Sequence, residues 1–411
     1  MKIRFLLSFL LAAFMITSCQ KDSTANLSVG ADLQETKVAA TTKKLRQLIN
    51  ENKLLSKEDV EKAQATDANT KLNTRGSSLK AKGLKSNADF SFYKNAVKKV
   101  INPDDYECGP TILDDYIPPL VADWTNDDFF YYFVFSDLAF LGPDFFYNTQ
   151  GLRESYGANG EFTNVTNRTF RDLKGFWNIP TDIIIGGAHG AIFKDVTTIT
   201  TWIQFFHVIQ DQNGNIIPVP YSLALEIAET LKIVFGSSRF QNYNHPLLTF
   251  NAFADWYPPL GIVKKIIMGD GIQKAYADLG LGDVAPQAII AHEYGHHIQF
   301  ALNVEFVFTP EGTRRTELMA DAYSAYYLTH KRGAAMNWHR VKSFLEVFYS
   351  IGDCAFNNPN HHGTPNQRMK ASEFGYKVAN SAQKQGKILT GEQFLALFDV
   401  ALPSIIAPDA L

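Results

Sequence analysis

The chain has 411 residues, 45% of them hydrophobic and 20% charged, with a formal charge of −3. That balance excludes a wholly disordered chain, and it offers no basic face of the kind that neutralises nucleic-acid phosphates. Its 31 Phe and 17 Tyr supply large rings for a packed core or an extended cleft.

Met1-Lys2-Ile3-Arg4 is a basic start, and Phe5 to Ile16 is an apolar run too short to cross a bilayer as a helix. Residues 1–18 therefore read as a signal peptide. Thr17-Ser18-Cys19 resembles the lipobox of bacterial lipoproteins, which makes Cys19 the expected lipid anchor on the cell envelope, at the outer membrane or its periplasmic face. Export to an oxidising compartment leaves Cys108 and Cys354 either as one disulfide or as two buried thiols.

Between Gln20 and Asp89 there is no aromatic residue, while Lys, Ser, Thr, Asn and Asp are plentiful. Such a stretch cannot bury enough apolar surface to fold alone, so residues 19–89 read as a flexible tether. Within it Leu45 to Ala65 has helical character, with Ser56 as N-cap. The folded body is expected over 90–411.

From Phe90 to Tyr243, aromatic-rich segments alternate with turn signals at Pro118-Pro119, Gly142-Pro143-Asp144 and Asn213-Gly214-Asn215. Asp182-Ile183-Ile184-Ile185 reads as a buried strand ended by Gly186-Gly187. Thr197 to Gln210 and Tyr221 to Phe235 read as helical or mixed. No period of 20–50 residues recurs, which excludes a solenoid or propeller. The acidic pairs Asp104-Asp105, Asp114-Asp115 and Asp127-Asp128 lack EF-hand spacing and read as solvated turns.

The chemistry concentrates in Ala291-His292-Glu293-Tyr294-Gly295-His296-His297, which contains H-E-x-x-H. Residues four apart on a helix lie one above the other, so His292 and His296 can present imidazoles to one metal ion. Glu293 stands where a carboxylate can take a proton from water without binding the metal. Pro286 suits the first turn of this helix, and Gly295 suits close packing against a neighbour. A catalytic zinc takes three protein ligands, and Glu317 is the expected third. It lies in a helical segment, Arg314 to Thr329, rich in small residues, with Asp321 one turn on as the expected hydrogen-bond partner of a ligand imidazole. His297 points away from the shared face.

These residues, followed by Ile351-Gly352-Asp353 and by His362-Gly363-Thr364-Pro365-Asn366-Gln367-Arg368, resemble the ordered motifs of a bacterial neutral zinc metallopeptidase family, over roughly residues 251–375. Cys354 and Pro365 depart from that family's pattern. The resemblance implies an α+β, zincin-like fold with a mixed sheet and an active-site helix pair. It also implies Zn2+ as cofactor and a glutamate third ligand of the gluzincin kind. Asn251-Ala252-Phe253-Ala254 is similar to the strand upstream of the zinc helix in several membrane zinc peptidases; such an edge strand holds peptide by strand addition, whereas an ordinary core strand has no such role. For the oxyanion donor the candidates are His362, Arg368, Tyr323 and Tyr326, with His362 preferred. The expected activity is peptide-bond hydrolysis of a protein or peptide substrate. The rival expectation is a noncatalytic surface lipoprotein that binds a polymer or protein and carries a structural metal.

Overall fold

The computed structural model describes residues 111–147, 154–211, 213–307, 309–350, 362–384 and 387–408, with 40, 43, 46, 47 and 54–57. Cys19, Cys108, Cys354, His361, the expected signal peptide and Ile351-Gly352-Asp353 lie outside the described residues.

The first described strand, β1 (Leu54–Ser56), falls inside the stretch expected to be helical. It pairs antiparallel with β3 (His207–Gln210), which in turn pairs with β4 (Ile216–Pro218). Partners more than 150 residues away override the local helical preference of these leucines. The turn between β3 and β4 is the expected Asn213-Gly214-Asn215, with Gly214 at φ 84° and Asp211 accepting from the backbone of Asn213 and Asn215.

Two turn expectations are corrected. Pro118-Pro119 lies in the last turn of α1 (Ile112–Leu120), and Gly142-Pro143-Asp144 lies within α3 (Leu138–Phe146). In these short helices a missing N–H costs few bonds, and Gly142 is there for packing: a Cβ on it would overlap the Trp202 ring. Two of the acidic pairs are corrected too, while Asp104-Asp105 lies outside the described residues. Asp114 and Asp128 sit in the first turns of α1 and α2 (Asn126–Phe135), where their carboxylates accept from the backbone of Thr111 and Thr125 at 2.6 and 2.8 Å. Asp128 is fully buried and ion-paired with Arg239 at 2.8 Å.

After α4 (Thr163–Phe176), β2 (Ile184–Ala188) runs through Gly186-Gly187 and does not end there. The His189 ring occupies the space a Cβ on Gly187 would fill, with Glu154 Oε2 beside it at 3.0 Å. The Val196–Gln210 stretch is mixed, as α5 (Val196–Phe206) followed by β3, and Tyr221–Phe235 forms α6. Helices α2, α5 and α6 surround one apolar cluster, built on Tyr131, Phe135, Trp202, Leu231 and Phe235.

The second sheet positions the candidate site. It is mixed, with order β2-β6-β5: β6 (Ile262–Gly269) is central, parallel to β2 and antiparallel to β5 (Ala252–Tyr257). Among the described residues β5 is therefore an edge strand, the alternative favoured by its likeness to substrate-holding strands. Side chains alternate across the sheet. Ile266 and Met268 face the core around α8 (Ala285–Ala301), while Ile267 and Phe253 meet Phe140 of α3 on the other side. Following β6, α7 (Asp270–Asp278) leads to α8, α9 (Pro310–Thr329), α10 (Trp338–Ser350), α11 (Pro365–Lys384) and α12 (Gly391–Ile405). The architecture is thus α+β, with a mixed sheet backed by a helical layer.

Close backbone approach sets this layer. A Cβ on Gly295 of α8 would stand 3.0 Å from Ala320 Cα of α9, and Ser324 Oγ of α9 donates to Ala288 O of α8 at 2.8 Å. On the far side of α9, a Cβ on Gly375 of α11 would stand 3.0 Å from Tyr326 N and 2.9 Å from Ala325 Cβ. Every residue of α9 from Gly312 to Thr329 is buried as a result.

Beneath β5 lies a buried charge cluster. Lys265 of β6 donates to the carbonyl oxygens of Asp144 and Tyr147, and its ammonium is 3.8 Å from the Asp144 carboxylate. Burial and the neighbouring Asp255 of β5 push the Asp144 carboxyl far above the ordinary carboxylate range, with Lys265 opposing. Asp255 Oδ1 in turn accepts from Trp256 N at 2.7 Å, at a β-bulge between Asp255 and Tyr257.

Two expected outcomes follow from these contacts. Gly375→Ala gains about 1 kcal/mol of helix propensity but forces α9 and α11 apart, so the variant should lose about 1–3 kcal/mol net in urea denaturation; an unchanged midpoint would show that the helices separate freely. Because the folded state holds a proton on Asp144 that the unfolded chain releases, this group makes stability fall as pH rises above the ordinary carboxylate range. Asp144→Asn should flatten that slope in denaturation midpoints taken from about pH 5 to about pH 8.

Candidate metal centre

Helix α8 begins with Pro286 in its first turn, as expected, and carries His292 and His296 on one face. Helix α9, brought in by Gly295 and Ala320, aims Glu317 at the same point. The Nε2 atoms of His292 and His296 are 3.2 Å apart. Glu317 Oε2 is 3.3 Å from His292 Nε2, and its Oε1 is 3.5 Å from His296 Nε2. Donor atoms about 2.0–2.1 Å from a small tetrahedral ion stand about 3.3–3.4 Å apart, so the observed spacings fit one shared divalent cation. His292, His296 and Glu317 are all buried and could hold a metal ion. Among the described residues they are the one such group of His, Cys, Asp and Glu.

Each imidazole is held by its other nitrogen. His292 Nδ1 is 2.8 Å from Asp321 Oδ1, and a carboxylate only accepts, so the proton is on Nδ1 and Nε2 faces the centre. Asp321 is fixed in turn by Arg368 of α11, whose Nε and Nη2 donate to its two oxygens at 2.8 and 2.7 Å. His296 Nδ1 is 3.1 Å from Gln299 Oε1, and Gln299 Nε2 donates to Thr316 O of α9 at 2.7 Å, which fixes the amide orientation. Such outer contacts set ligand tautomer and ring angle. Gln299 has no role in the sequence reading. Its only signal there is a position three residues beyond His296, on a neighbouring stripe of the helix.

Burial is the largest influence on His292, Glu293, His296 and Glu317. It opposes the charge on His292, but hydrogen bonds to Asp321 and Glu317 outweigh it and raise that imidazole to about 10. Burial lowers His296 to about 4, against the pull of Glu317. Burial would raise Glu317, yet the imidazoles of His296, His362 and His292 hold its carboxyl well below the usual range. Glu293 rises to about 7, through burial and the Glu317 charge, against His292, Arg368 and His362. One carboxylate is therefore kept ionised among the donors, while the neighbouring one sits near neutrality.

The remaining sequence candidates separate cleanly. His362 acts electrostatically on both Glu293 and Glu317, which places it at the site. Gly363 at φ 106° turns the chain there against Leu318, and Thr364 and Gln367 then cap α11 reciprocally, at 3.2 and 3.1 Å. Pro365, a departure from the family pattern, occupies the first helical position, where proline needs no donor. The other oxyanion candidates are committed elsewhere. Tyr323 donates to Gly391 O at 2.9 Å, Tyr326 accepts from Leu389 N at 2.8 Å, and Arg368 is spent on Asp321. His297 does point away: its Nε2 is 2.9 Å from Lys265 O, tying α8 to β6.

No family model, curated protein or solved structure matches the chain.

Asp321→Asn leaves the shape of the side chain but removes the charge that orients both His292 and Arg368. Divalent-ion affinity, measured by competition with a chromogenic chelator, should fall about 10–100-fold while the fold persists. Undiminished affinity would show that the carboxylate does not organise the ligands.

Proposed function

We propose that the chain is a zinc-dependent peptidase of zincin-like build, tethered to the bacterial envelope through Cys19. The observation that carries this reading is the open ligand set. His292, His296 and Glu317 converge, and among the described residues no fourth His, Cys, Asp or Glu joins them, while Glu293 stands beside the cluster. Structural zinc is normally enclosed by four protein ligands, often cysteines, whereas catalytic zinc keeps a position for water. Two nitrogens and a carboxylate at tetrahedral spacing favour zinc over the harder ions, which prefer all-oxygen sets.

Bound by these three side chains, zinc would supply a Lewis acid that polarises the scissile carbonyl and acidifies water. Glu293 takes a proton from the attacking water and returns it to the leaving nitrogen. A proton affinity near neutrality suits both transfers, and the adjacent divalent charge would keep the carboxylate ionised before the first. His362 donates a hydrogen bond to the oxygen that gains negative charge. Asp321 and Gln299 keep the ligand imidazoles in register throughout. The peptide lies along β5, an edge strand among the described residues, whose Ala252 and Trp256 N–H groups are held by the Asn251 and Asp255 side chains, so that strand addition uses the rest of that edge. The anchor and tether rest on the composition of the chain ahead of β1, since Leu54–Ser56 pair with β3.

Glu293→Gln should keep full zinc stoichiometry by elemental analysis and lose casein hydrolysis by about a hundredfold or more. Retained hydrolysis rejects Glu293 as base. A wild-type protein that binds zinc and leaves casein and other unstructured proteins intact would favour the structural-metal reading instead.

A further inference from the structure

Two Phe-Phe pairs meet at the surface, Phe145-Phe146 at the end of α3 and Phe205-Phe206 at the end of α5. The Phe205 ring is 5.7 Å from Phe145 and 5.1 Å from Phe146, and Phe206 is 5.1 Å from Phe145. Trp202 stacks on Phe146 at 6.1 Å and 3°, and is itself buried against Gly142, so the outer rings stand on a fixed floor. Neighbours on a helix point about 100° apart, so both rings of a pair cannot turn inward. Phe146 is left 39% exposed and Phe205 44%. A lone apolar side chain at a surface is ordinary, but phenylalanine has no polar atom to give to water, and rings held together in this way mark a contact.

The chain ahead of β1 arrives at these rings. Ser56 of β1 pairs with His207, the residue after Phe206, and Lys57 then lays its ammonium 5.4 Å over the Phe205 ring. Lys57 is exposed and makes no ion pair among the described residues. The rim therefore sets a cation beside bare rings, a combination suited to the level of a bilayer where acyl chains give way to phosphates. Leu54 follows Cys19 by thirty-five residues. Lipid carried on Cys19 thus stays near the rim at an effective concentration of about millimolar, so a patch of only millimolar strength is occupied. A second copy of the chain has no such tether, and two partly exposed rings fall well short of the roughly 800 Å² per partner that a stable dimer buries.

We propose that Phe146 and Phe205, with Lys57 at their rim, form the face by which the body lies on the bilayer, the rings entering the acyl boundary and the ammonium meeting a lipid phosphate. This rests on the lipid anchor of the proposed function and is independent of its metal chemistry. The anchor sets how far the body can stray, and the patch sets which face looks at the lipid. The contacts among these rings join α3 to α5 and involve neither α8 nor α9, so docking engages elements other than those that carry His292, His296 and Glu317.

The test uses the full chain, extracted from the envelope of a bacterial host in detergent and reconstituted into vesicles of equal parts phosphatidylethanolamine and phosphatidylglycerol with brominated acyl chains. Phe205→Trp places an indole on the patch, and Val400→Trp places one on α12, where Val400 is 82% exposed. Bromine should quench the indole of Phe205→Trp beyond the wild-type level and spare that of Val400→Trp; equal quenching of both, or none at Phe205→Trp, overturns the patch. Residues 19–411 with Cys19→Ser, which take up no lipid, should sediment weakly with unbrominated vesicles. Phe146→Ser combined with Phe205→Ser should lower that partition about tenfold or more at an unchanged urea midpoint. No sedimentation, or a partition that survives the double substitution, counts against the proposal in the same way. A dimer that the double variant dissolves, seen by sedimentation equilibrium without vesicles, assigns the rings to a second copy and also overturns it. Mass spectrometry of the N-terminal peptide separates the two readings: Cys19 without lipid, beside vesicle binding that the double variant loses, sinks the anchor and leaves the patch standing.

Discussion

The approach of α9 to α8 at Gly295 is the constraint on which the candidate site depends. With the two backbones in contact there, Glu317 reaches the imidazoles of the H-E-x-x-H helix directly, and Asp321 reaches His292 from one turn further along. A larger residue at either Gly295 or Ala320 would separate the helices, and donor spacings of 3.2–3.5 Å leave little tolerance for that. The glycine costs helix propensity at the position where the chain most needs proximity.

Burying this many ionisable groups is tolerated where opposite charges face one another. Asp321 shares its oxygens between His292 and the fork of Arg368, and Glu317 faces both imidazoles. Arg368 arrives from α11, so three helices are joined through one carboxylate. The same logic recurs under the sheet, where Lys265, Asp144 and Asp255 balance one another and hold the edge strand from the face opposite α8. In both clusters the charged groups are balanced within a few residues of one another.

Much of the candidate site was legible in the chain because its spacing is local. His292 and His296 are one turn apart, as are Glu317 and Asp321, and glycine within the helix signals contact at Gly295. The mixed sheet also agrees with expectation. What escaped needed distant partners. Leu54–Ser56 is extended because β3 lies beside it, and Asp144 meets Lys265 across 121 residues. Periodicity could not sort the tyrosines of α9, since that helix is buried on every side and has no solvent face to define an inward one. Gln299 likewise takes its meaning from the Thr316 carbonyl, which no pattern along the chain reveals. Proline and glycine misled at 118–119, 142–143 and 186–187, where packing or helix ends, not turns, account for them.

The scaffold around His292, His296 and Glu317 is assembled from contacts that involve no cation. Asp321, Arg368, Gln299 and the Thr316 carbonyl already aim the donors, and a proton on His292 offsets the negative charge of Glu317. Small zinc domains, by contrast, collapse when stripped. In this chain the aim of the three donors is set by the helices' own hydrogen bonds and packing, so it is inherited from the body as a whole.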